Sequence, residues 1–391
     1  MDDLSSMLPD ATCRRALRRR LLAWYDRHAR QLPWRRSRDP YAVWLSEIML
    51  QQTQVGTVKG YFHRFIKKFS TIKALARADE HEVLRLWEGL GYYRRARQLH
   101  QAAKIIVAEH GGRFPRDPQL VRRLPGVGRY TAGAILSIAF DAREPILEAN
   151  TLRLLSRLLA YAGQPRSTEG QRLLWAMAEL LLPRRNCGRF NQAMMELGSE
   201  ICTARTPRCD ACPVALLCRA NQQGRQREIP PPKAKRPPEL VREAAVVVRR
   251  GSRVLLVRWP EGRRWAGLWD FPRFPIDAEH AAALRDELVK NVLALTGVTI
   301  VPGRLLTTLT HGVTRFHITL ECYAAQYVSH NKKNKTQLET RWLRLKELDD
   351  YPLSSTGRKL AKRIQKNSPQ RRGDAERARM IHEGHEVHKA N

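Results

Sequence analysis

Four of the seven cysteines in this 391-residue chain fall within 17 residues, with the spacing C-x6-C-x2-C-x5-C. They are Cys202, Cys209, Cys212 and Cys218. Four thiolates can hold either a cubane [4Fe-4S] cluster or a zinc ion. Zinc ribbons usually pair two C-x-x-C knuckles across a longer loop, whereas this compact segment contains one, so the spacing favours the cluster. Because a secreted disulfide framework spreads its cysteines more evenly, we also expect a reducing compartment.

Glu47 stands in a sequence setting that suits acid–base chemistry. Glu47 lies in WLSEIMLQQTQV, among apolar residues and before a row of uncharged polar ones. A glutamate on an amphipathic helix is ordinarily a solvated surface residue, but a carboxyl among apolar groups has a raised pKa and can hold a proton.

The chain is strongly basic, with 70 Lys and Arg against 38 Asp and Glu. Only ten basic and four acidic residues follow from Arg358 onward, so a basic tail does not explain the net charge of +32. A folded body this basic binds polyanions through counterion release, and nucleic acid is the first candidate. An acidic membrane surface is the alternative, but no apolar run reaches the ~18–20 residues of a membrane span. The segment Leu124-Pro125-Gly126-Val127-Gly128, between two helical patterns, is either an ordinary turn or a phosphate-binding hairpin.

The cysteine spacing and the hairpin together resemble the endonuclease III superfamily of DNA glycosylases. Four strings are similar to the adenine DNA glycosylase (MutY) family: WLSEIMLQQTQV, LPWR at 32–35, GLGYYRRAR at 89–97 and FNQAMMELG at 190–198. The resemblance covers nearly all of residues 20–220. It implies one [4Fe-4S] cluster of structural role, and an enzyme that flips adenine out of double-stranded DNA. The family hydrolyses the N-glycosidic bond of adenine paired with 8-oxoguanine or, less readily, with guanine.

The resemblance also assigns catalytic roles by position. Glu47 is expected to protonate adenine and later to activate water. The family places an aspartate before Gly-Asn; here Glu148 replaces the aspartate, Ala149 replaces the glycine, and Asn150 matches. We expect Glu148 to stabilise the oxocarbenium ion. Superfamily members that also cut the backbone carry a lysine where this chain has Tyr130, which cannot form a Schiff base, so a monofunctional glycosylase with at most weak strand cleavage is expected.

The remaining site assignments concern the adenine pocket and the contacts with DNA. The resemblance implies a pocket lined by Trp34, Arg35, Leu50, Thr53 and Glu196. It implies DNA contacts by Gln52 and Tyr92, which fill or wedge the base stack, by Leu124, Gly126, Val127 and Gly128 of the hairpin, and by Arg205 and Arg208 of the cysteine loop. Core packing is the alternative for Trp34 and Tyr92. Two other functions remain open: a bifunctional pyrimidine glycosylase/lyase, and a catalytically weakened binder of DNA lesions.

The pattern of apolar residues indicates the elements that position these groups. Residues 12–225 are predicted to form a mainly α-helical domain, in which Asp39-Pro40 and Asp117-Pro118 each begin a helix. A Pro/Lys-rich linker is expected at 226–240. Strand patterns in AAVVVRRGSRVLLVRW and FHITLECYAAQYV, with a helix at 281–296, predict an α+β domain over 241–365. Residues 1–11 and the basic tail 366–391 are expected to be disordered.

The second domain resembles the MutT-like (Nudix) domain attached to this family, through VLLVRWPEGRRWAGLWDFPRF and HGVTRFHITL. A Nudix hydrolase holds its metal with a cluster of glutamates, but DELVKNVLALTGV has Lys290 and Asn291 where acids are sought. The resemblance therefore implies recognition of 8-oxoguanine instead of hydrolysis. The family's Phe-Ser-His loop aligns with Val313-Thr314-Arg315. The alternative is a domain that only clamps DNA.

The expected setting of the protein follows from the same observations. The acidic start, MDDLSSMLPD, has neither the apolar core of a signal peptide nor the composition of a transit peptide, so a cytoplasmic, nucleoid-associated protein is expected. We expect a monomer without a membrane contact. Contacts with a sliding clamp or other repair proteins are compatible with the charge, although no motif identifies such a partner.

Overall fold

All regular elements in the first part of the protein are helices, as the apolar spacing predicts. The computed structural model describes residues 8–232, 237–313, 315–331 and 338–367, and in these residues no strand precedes Glu239. The α-helices in that part are α1 (Ala11–His28), α2 (Pro40–Leu50), α3 (Val55–Lys68), α4 (Ile72–Arg77), α5 (Glu80–Trp87), α6 (Arg94–His110), α7 (Pro118–Arg123), α8 (Arg129–Phe140), α9 (Ala149–Leu159), α10 (Thr168–Leu181), α11 (Cys187–Glu200) and α12 (Arg219–Gln222). Short 3-10 helices lie at Pro33–Arg35 and Ala215–Leu217. None of the described helices is long and apolar enough to cross a membrane.

The two predicted Asp-Pro helix starts are confirmed. The Asp39 carboxylate accepts hydrogen bonds from the amides of Tyr41 and Ala42 at the start of α2. Asp117 caps α7 in the same way. Proline takes the first helical position in both helices, where the missing N–H is not needed. These caps fix where α2 begins, and therefore where the residues of WLSEIMLQQTQV lie along it.

The chain divides into two compact units, one of residues 1–78 and 95–234 and one of residues 79–94 and 235–391. In the first unit, α2 packs against α8, and α1, α9, α10 and α11 share a core of buried apolar side chains. Residues 79–94, which contain α5, lie inside the predicted helical domain but cluster with the second unit.

The second unit contains the predicted sheet. Its strands are β1 (Glu239–Arg250), β2 (Arg253–Arg258), β3 (Trp269–Asp270), β4 (Arg273–Pro275), β5 (Val298–Val313), β6 (Phe316–His330) and β7 (Glu339–Arg344). The order is β3-β2-β1-β6-β5, with β4 pairing with β1 and β7 with β2. The β1–β6 pair is parallel, and β1 and β2 form an antiparallel hairpin.

Two helices, α13 (Ala281–Thr296) and α14 (Ser355–Lys366), cover opposite faces of the sheet. Along β1, Ala245 and Val247 share a core with α14, whereas Val246 and Val248 share one with α13. This alternation is what a strand buried on both faces requires. A helical unit followed by an α+β unit confirms the predicted fold class. Residues 1–7, 233–236, 314, 332–337 and 368–391 are outside the described residues, including parts of the predicted termini and linker.

Candidate active site

A cavity of about 530 Å³ opens in the first unit, where α2 ends and α8 and α9 begin. Ten of the residues predicted from the sequence line it: Trp34, Arg35, Glu47, Leu50, Gln52, Thr53, Tyr130, Glu148, Asn150 and Glu196. These residues come from five separate segments of the chain, and the fold brings them around one space. The predicted cysteine and hairpin residues, and Val313 and Arg315, do not line this cavity.

Glu47 is almost completely buried, with 4% of its surface exposed. Its pKa is raised to about 7, chiefly by burial and further by the charge of Glu148. The Tyr130 hydroxyl donates a hydrogen bond of 2.6 Å to Glu47 Oε2, and this bond and Arg35 act in the opposite direction. A carboxyl with a pKa near neutrality is protonated in a substantial fraction of molecules and can act as a general acid.

Glu148 caps the N-terminus of α9. Its two carboxylate oxygens accept hydrogen bonds of 2.8 Å from the amides of Asn150 and Thr151, and the Thr151 hydroxyl accepts one from the Glu148 amide. Burial raises the pKa of Glu148, while these amides and Arg153 oppose the rise. Ala149 is the first residue of the helix and has no positive φ, so alanine fits where the family pattern has glycine. The longer glutamate therefore reaches its own helix cap without backbone strain.

Glu196 forms a buried ion-pair network at the wall of the cavity. Burial alone raises the pKa of this carboxyl, but hydrogen bonds from Arg30 and Arg35 lower it to about 2. Arg30 Nε lies 2.7 Å from Glu196 Oε1, and Arg35 Nη2 lies 2.8 Å from Oε2. The network fixes the Arg35 guanidinium beside the cavity. Arg30 was missed by sequence reasoning because its partner is 166 residues away.

The turn that follows α2 is held by a buried arginine. Arg95 Nη1 donates to the carbonyls of Ile48 and Met49 at 2.9 Å and to that of Gln51, and Nη2 donates to Thr53 Oγ1 at 3.2 Å. These are the terminal carbonyls of the helix that carries Glu47, so Arg95 acts as its C-terminal cap. Gln52 adopts a left-handed φ of 58° in this turn. Arg95 stands in the GLGYYRRAR string, but its role there was not predicted.

The predicted hairpin connects α7 to α8. Gly126 has φ 78°, which favours glycine, and Gly128 occupies the N-cap of α8 without a side-chain cap. The side chains of Leu124 and Val127 are buried. Any contact of these two residues with DNA therefore runs through the backbone. The N-terminus of α8 carries the partial positive charge that attracts a phosphate.

The four clustered cysteines line one small cavity of the first unit. Burial raises the pKa of Cys212 to about 12, and the other three cysteines add to the rise. In the described residues no group of three or more histidine, cysteine, aspartate or glutamate side chains is placed to hold a metal ion. Four cysteine side chains around one space are nevertheless the kind of donors that a [4Fe-4S] cluster requires. Arg157 Nη1 lies 3.2 Å from Cys202 Sγ and supplies a buried positive charge beside it.

The cysteine loop carries two exposed basic residues. Arg205 and Arg208 are both exposed, and Arg208 donates to the Glu200 carbonyl at 2.8 Å.

In the second unit, Val313 pairs with Phe316 at the end of the β5–β6 hairpin. Arg315, with 72% of its side chain exposed, forms an ion pair of 3.2 Å with Glu239. Thr314 is outside the described residues.

Tyr92 lies in the second unit with 51% of its surface exposed and a left-handed φ of 47°.

Most of DELVKNVLALTGV, the stretch compared above with the metal-binding helix of a Nudix hydrolase, lies in α13. Its Glu287 carboxylate accepts hydrogen bonds from the amides of Asp277 and Ala278, at 3.3 and 3.1 Å, and so has a structural role.

Known proteins share these features. Residues 45–179 match the HhH-GPD superfamily of base excision DNA repair proteins, and residues 244–363 match the NUDIX domain. The chain is 36% identical to the adenine DNA glycosylase of Rattus norvegicus over 91% of this chain and 79% of that one. The chain is 34% identical to the adenine DNA glycosylase of Homo sapiens, over 90% of this chain and 75% of that one. A thermostable thymine-DNA glycosylase of known structure is 30% identical with a TM-score of 0.51, over 55% of this chain and all of that one.

The fold, the hairpin between α7 and α8 and the acid-lined cavity together define the class of this protein. It is a DNA glycosylase of base excision repair with an appended Nudix-like domain. Within that class, the chain belongs to the adenine DNA glycosylase family.

Proposed function

We propose that this protein removes adenine paired with 8-oxoguanine in double-stranded DNA, and adenine paired with guanine more slowly. It hydrolyses the N-glycosidic bond and leaves the backbone intact. The observation that carries the proposal is the pair of carboxyls at one cavity: Glu47, which is buried and has a pKa of about 7, and Glu148, which is partly buried and fixed at the N-terminus of α9. The relationship to adenine DNA glycosylases indicates that the base removed is adenine.

The proposed reaction uses the two carboxyls in turn. Glu47 donates its proton to N7 of the flipped-out adenine, the bond between C1′ and N9 breaks, and the bonding electrons leave with the base. The Glu148 carboxylate stabilises the positive charge that develops on the sugar. Glu47, now ionised, accepts a proton from a water molecule that adds to C1′. Tyr130 holds the Glu47 carboxyl in place through its 2.6 Å hydrogen bond.

The other predicted residues serve binding in this proposal. Trp34, Arg35, Leu50, Thr53 and Glu196 surround the adenine, while Gln52 and Tyr92 occupy the base stack that it leaves. The hairpin amides and the exposed arginines of the cysteine loop contact phosphates. Cys202, Cys209, Cys212 and Cys218 hold a [4Fe-4S] cluster, which ties down that loop. Iron and sulfide analysis of the purified protein distinguishes this cluster from zinc.

The proposal is tested on a labelled duplex with one central adenine opposite 8-oxoguanine, incubated with the protein and then with alkali. A break at adenine that requires alkali is expected, with slower cleavage opposite guanine and none when cytosine faces 8-oxoguanine. A break without alkali identifies a glycosylase/lyase, and binding without cleavage identifies a lesion binder. Thymine opposite guanine is included because of the thymine-DNA glycosylase relative. Preferential loss of thymine contradicts the proposal.

A further inference from the structure

The segment that carries Tyr92 is bound closely to the C-terminal part of the second unit. The segment comprises α5 and the GLGYY loop that follows it. On α5, Arg85 Nε donates to the Asp349 carbonyl at 2.6 Å, and a His81 ring nitrogen lies 2.9 Å from the Asp350 carbonyl. These contacts attach α5 to the 3-10 helix Leu345–Asp350, just before α14.

The strongest of these contacts is a bidentate ion pair at the C-terminus of α5. Arg358 of α14 places Nε 2.6 Å from Glu88 Oε1 and Nη2 3.0 Å from Oε2. The Leu353 amide donates to the same carboxylate at 3.3 Å. Only 11% of the Arg358 side chain and 8% of the Glu88 side chain are exposed. A bidentate arginine–carboxylate pair that is largely buried is both stronger and more directional than an ion pair on the surface.

Arg358 is itself fixed from the other side. Its Nη1 donates to the Leu348 carbonyl at 2.7 Å and to Asp349 Oδ1 at 3.0 Å, and its Nη2 donates to the Tyr351 carbonyl. Removing the guanidinium therefore leaves a nearly buried carboxylate at Glu88 without its main charge partner, which is costly. The position of Glu88 is determined by α14 and the residues before it.

The loop directly after Glu88 has an unusual backbone. Gly89, Gly91 and Tyr92 have φ values of 96°, 71° and 47°. Left-handed φ is costly for a tyrosine, and such a conformation persists only where the surrounding structure fixes it. Glu88 is the C-cap of α5 and sets where this loop begins.

We propose that Arg358 is a positioning residue for Tyr92, acting through Glu88, so that the Nudix-like part of the chain holds the side chain that enters the base stack. The proposal rests on the role of Tyr92 given under the proposed function. It assigns this part of the chain a task separate from reading 8-oxoguanine, because Arg358 lies on α14 and not on the β5–β6 hairpin.

The test compares Arg358→Met with Lys362→Met, which removes the same charge from an exposed position of α14. Two readouts are used on full-length protein: single-turnover excision of adenine opposite 8-oxoguanine, and the fluorescence of a 2-aminopurine beside that adenine, which reports unstacking on binding. We expect Arg358→Met to lose about tenfold in excision rate and most of the fluorescence change. Lys362→Met should match the wild type in both, and equal losses in the two variants contradict the proposal.

A second comparison separates positioning from general destabilisation. In a Tyr92→Ala background, Arg358→Met should cause no further loss of excision, because the residue through which it acts is gone. A full additional loss overturns the proposal. Glu88→Gln keeps the shape of the side chain and should reproduce the defect of Arg358→Met, and it replaces that variant if the latter fails to fold. The fluorescence readout does not depend on base removal, so a failure of the proposed chemistry is distinguishable from a failure of this inference.

Discussion

The acid-lined cavity of the first unit and the β5–β6 hairpin tip of the second unit differ in how far their charged groups are exposed to water. In the cavity, Glu47 and Glu196 are buried and each is fixed by hydrogen bonds from named partners. At the hairpin tip, Arg315 is 72% exposed and its partner Glu239 is 56% exposed. Charges removed from water interact strongly and lose much when a partner is removed, whereas exposed pairs contribute little. Substitutions in the cavity should therefore have large effects on the rate of excision. Substitutions at the tip should have small effects on the preference for 8-oxoguanine over guanine.

The largest effect is expected for Glu47→Gln, which keeps the shape of the side chain but cannot donate the proton. Excision of adenine opposite 8-oxoguanine should fall by at least ~10³-fold in single-turnover assays, within the range for loss of a general acid. Duplex binding should stay within about threefold of the wild type, because the net charge of the cavity wall changes little. Glu179→Gln, on a side chain that is 59% exposed, is the matched control and should retain full activity. Substantial excision by Glu47→Gln would place the acid elsewhere.

Burial of Glu47 also makes stability depend on pH. Its pKa in the folded protein is about 7, above the ordinary value of 4.5, so the fold favours the protonated form. The stabilisation is complete below pH 4.5 and is lost as the pH rises through 7. Since one pKa unit corresponds to ~1.4 kcal/mol, ionising Glu47 costs about 3 kcal/mol. Denaturant unfolding should find Glu47→Gln similar to the wild type near pH 4.5 and more stable by about that amount at pH 8. Equal stability at both pH values contradicts the raised pKa.

Glu148→Gln should reduce excision by ~10²-fold, because an amide cannot balance the charge on the sugar. It also weakens the cap of α9, at a cost of ~1 kcal/mol in unfolding free energy. Glu148→Asp restores the family's residue, keeps both the charge and a capping side chain, and should excise within about tenfold of the wild type. Comparing the two variants separates charge from capping: equal losses would mean that Glu148 serves the helix alone.

What the sequence could predict were the features encoded within short segments. The Asp-Pro caps, the hairpin glycines and the apolar setting of Glu47 are each contained in a few neighbouring residues, and the structure gathers the predicted pocket residues around one cavity. Three arginines with positioning contacts were not predicted. Arg30 meets Glu196 across 166 residues, Arg95 meets the carbonyls of α2 across more than 40, and Arg358 meets Glu88 across 270. No local pattern in the sequence indicates such a pair, because only the fold brings the two partners together.

The grouping of residues 79–94 with the second unit was not predictable for the same reason. The residues of this segment resemble the glycosylase domain in sequence, and residues 45–179 match that superfamily as one block. Its polar side chains His81, Arg85 and Glu88, however, are bound by groups more than 260 residues later in the chain. A sequence match reflects the common ancestry of a continuous stretch of chain, whereas a compact unit is defined by contacts in space. The boundaries of a matched segment and of a compact unit therefore need not coincide.

The smallest effect is expected at the hairpin tip, for Arg315→Ala. An exposed charged contact contributes less than ~1 kcal/mol, so the preference for 8-oxoguanine over guanine opposite adenine should narrow by about threefold. Arg304→Ala removes an exposed charge from β5, away from the tip, and should weaken binding to both duplexes equally. Affinities for the two duplexes are measured at several salt concentrations, because loss of a phosphate contact lowers the salt dependence by about one unit without changing preference. If Arg315→Ala behaves like Arg304→Ala, the tip contacts only the backbone, and discrimination resides in groups other than Arg315.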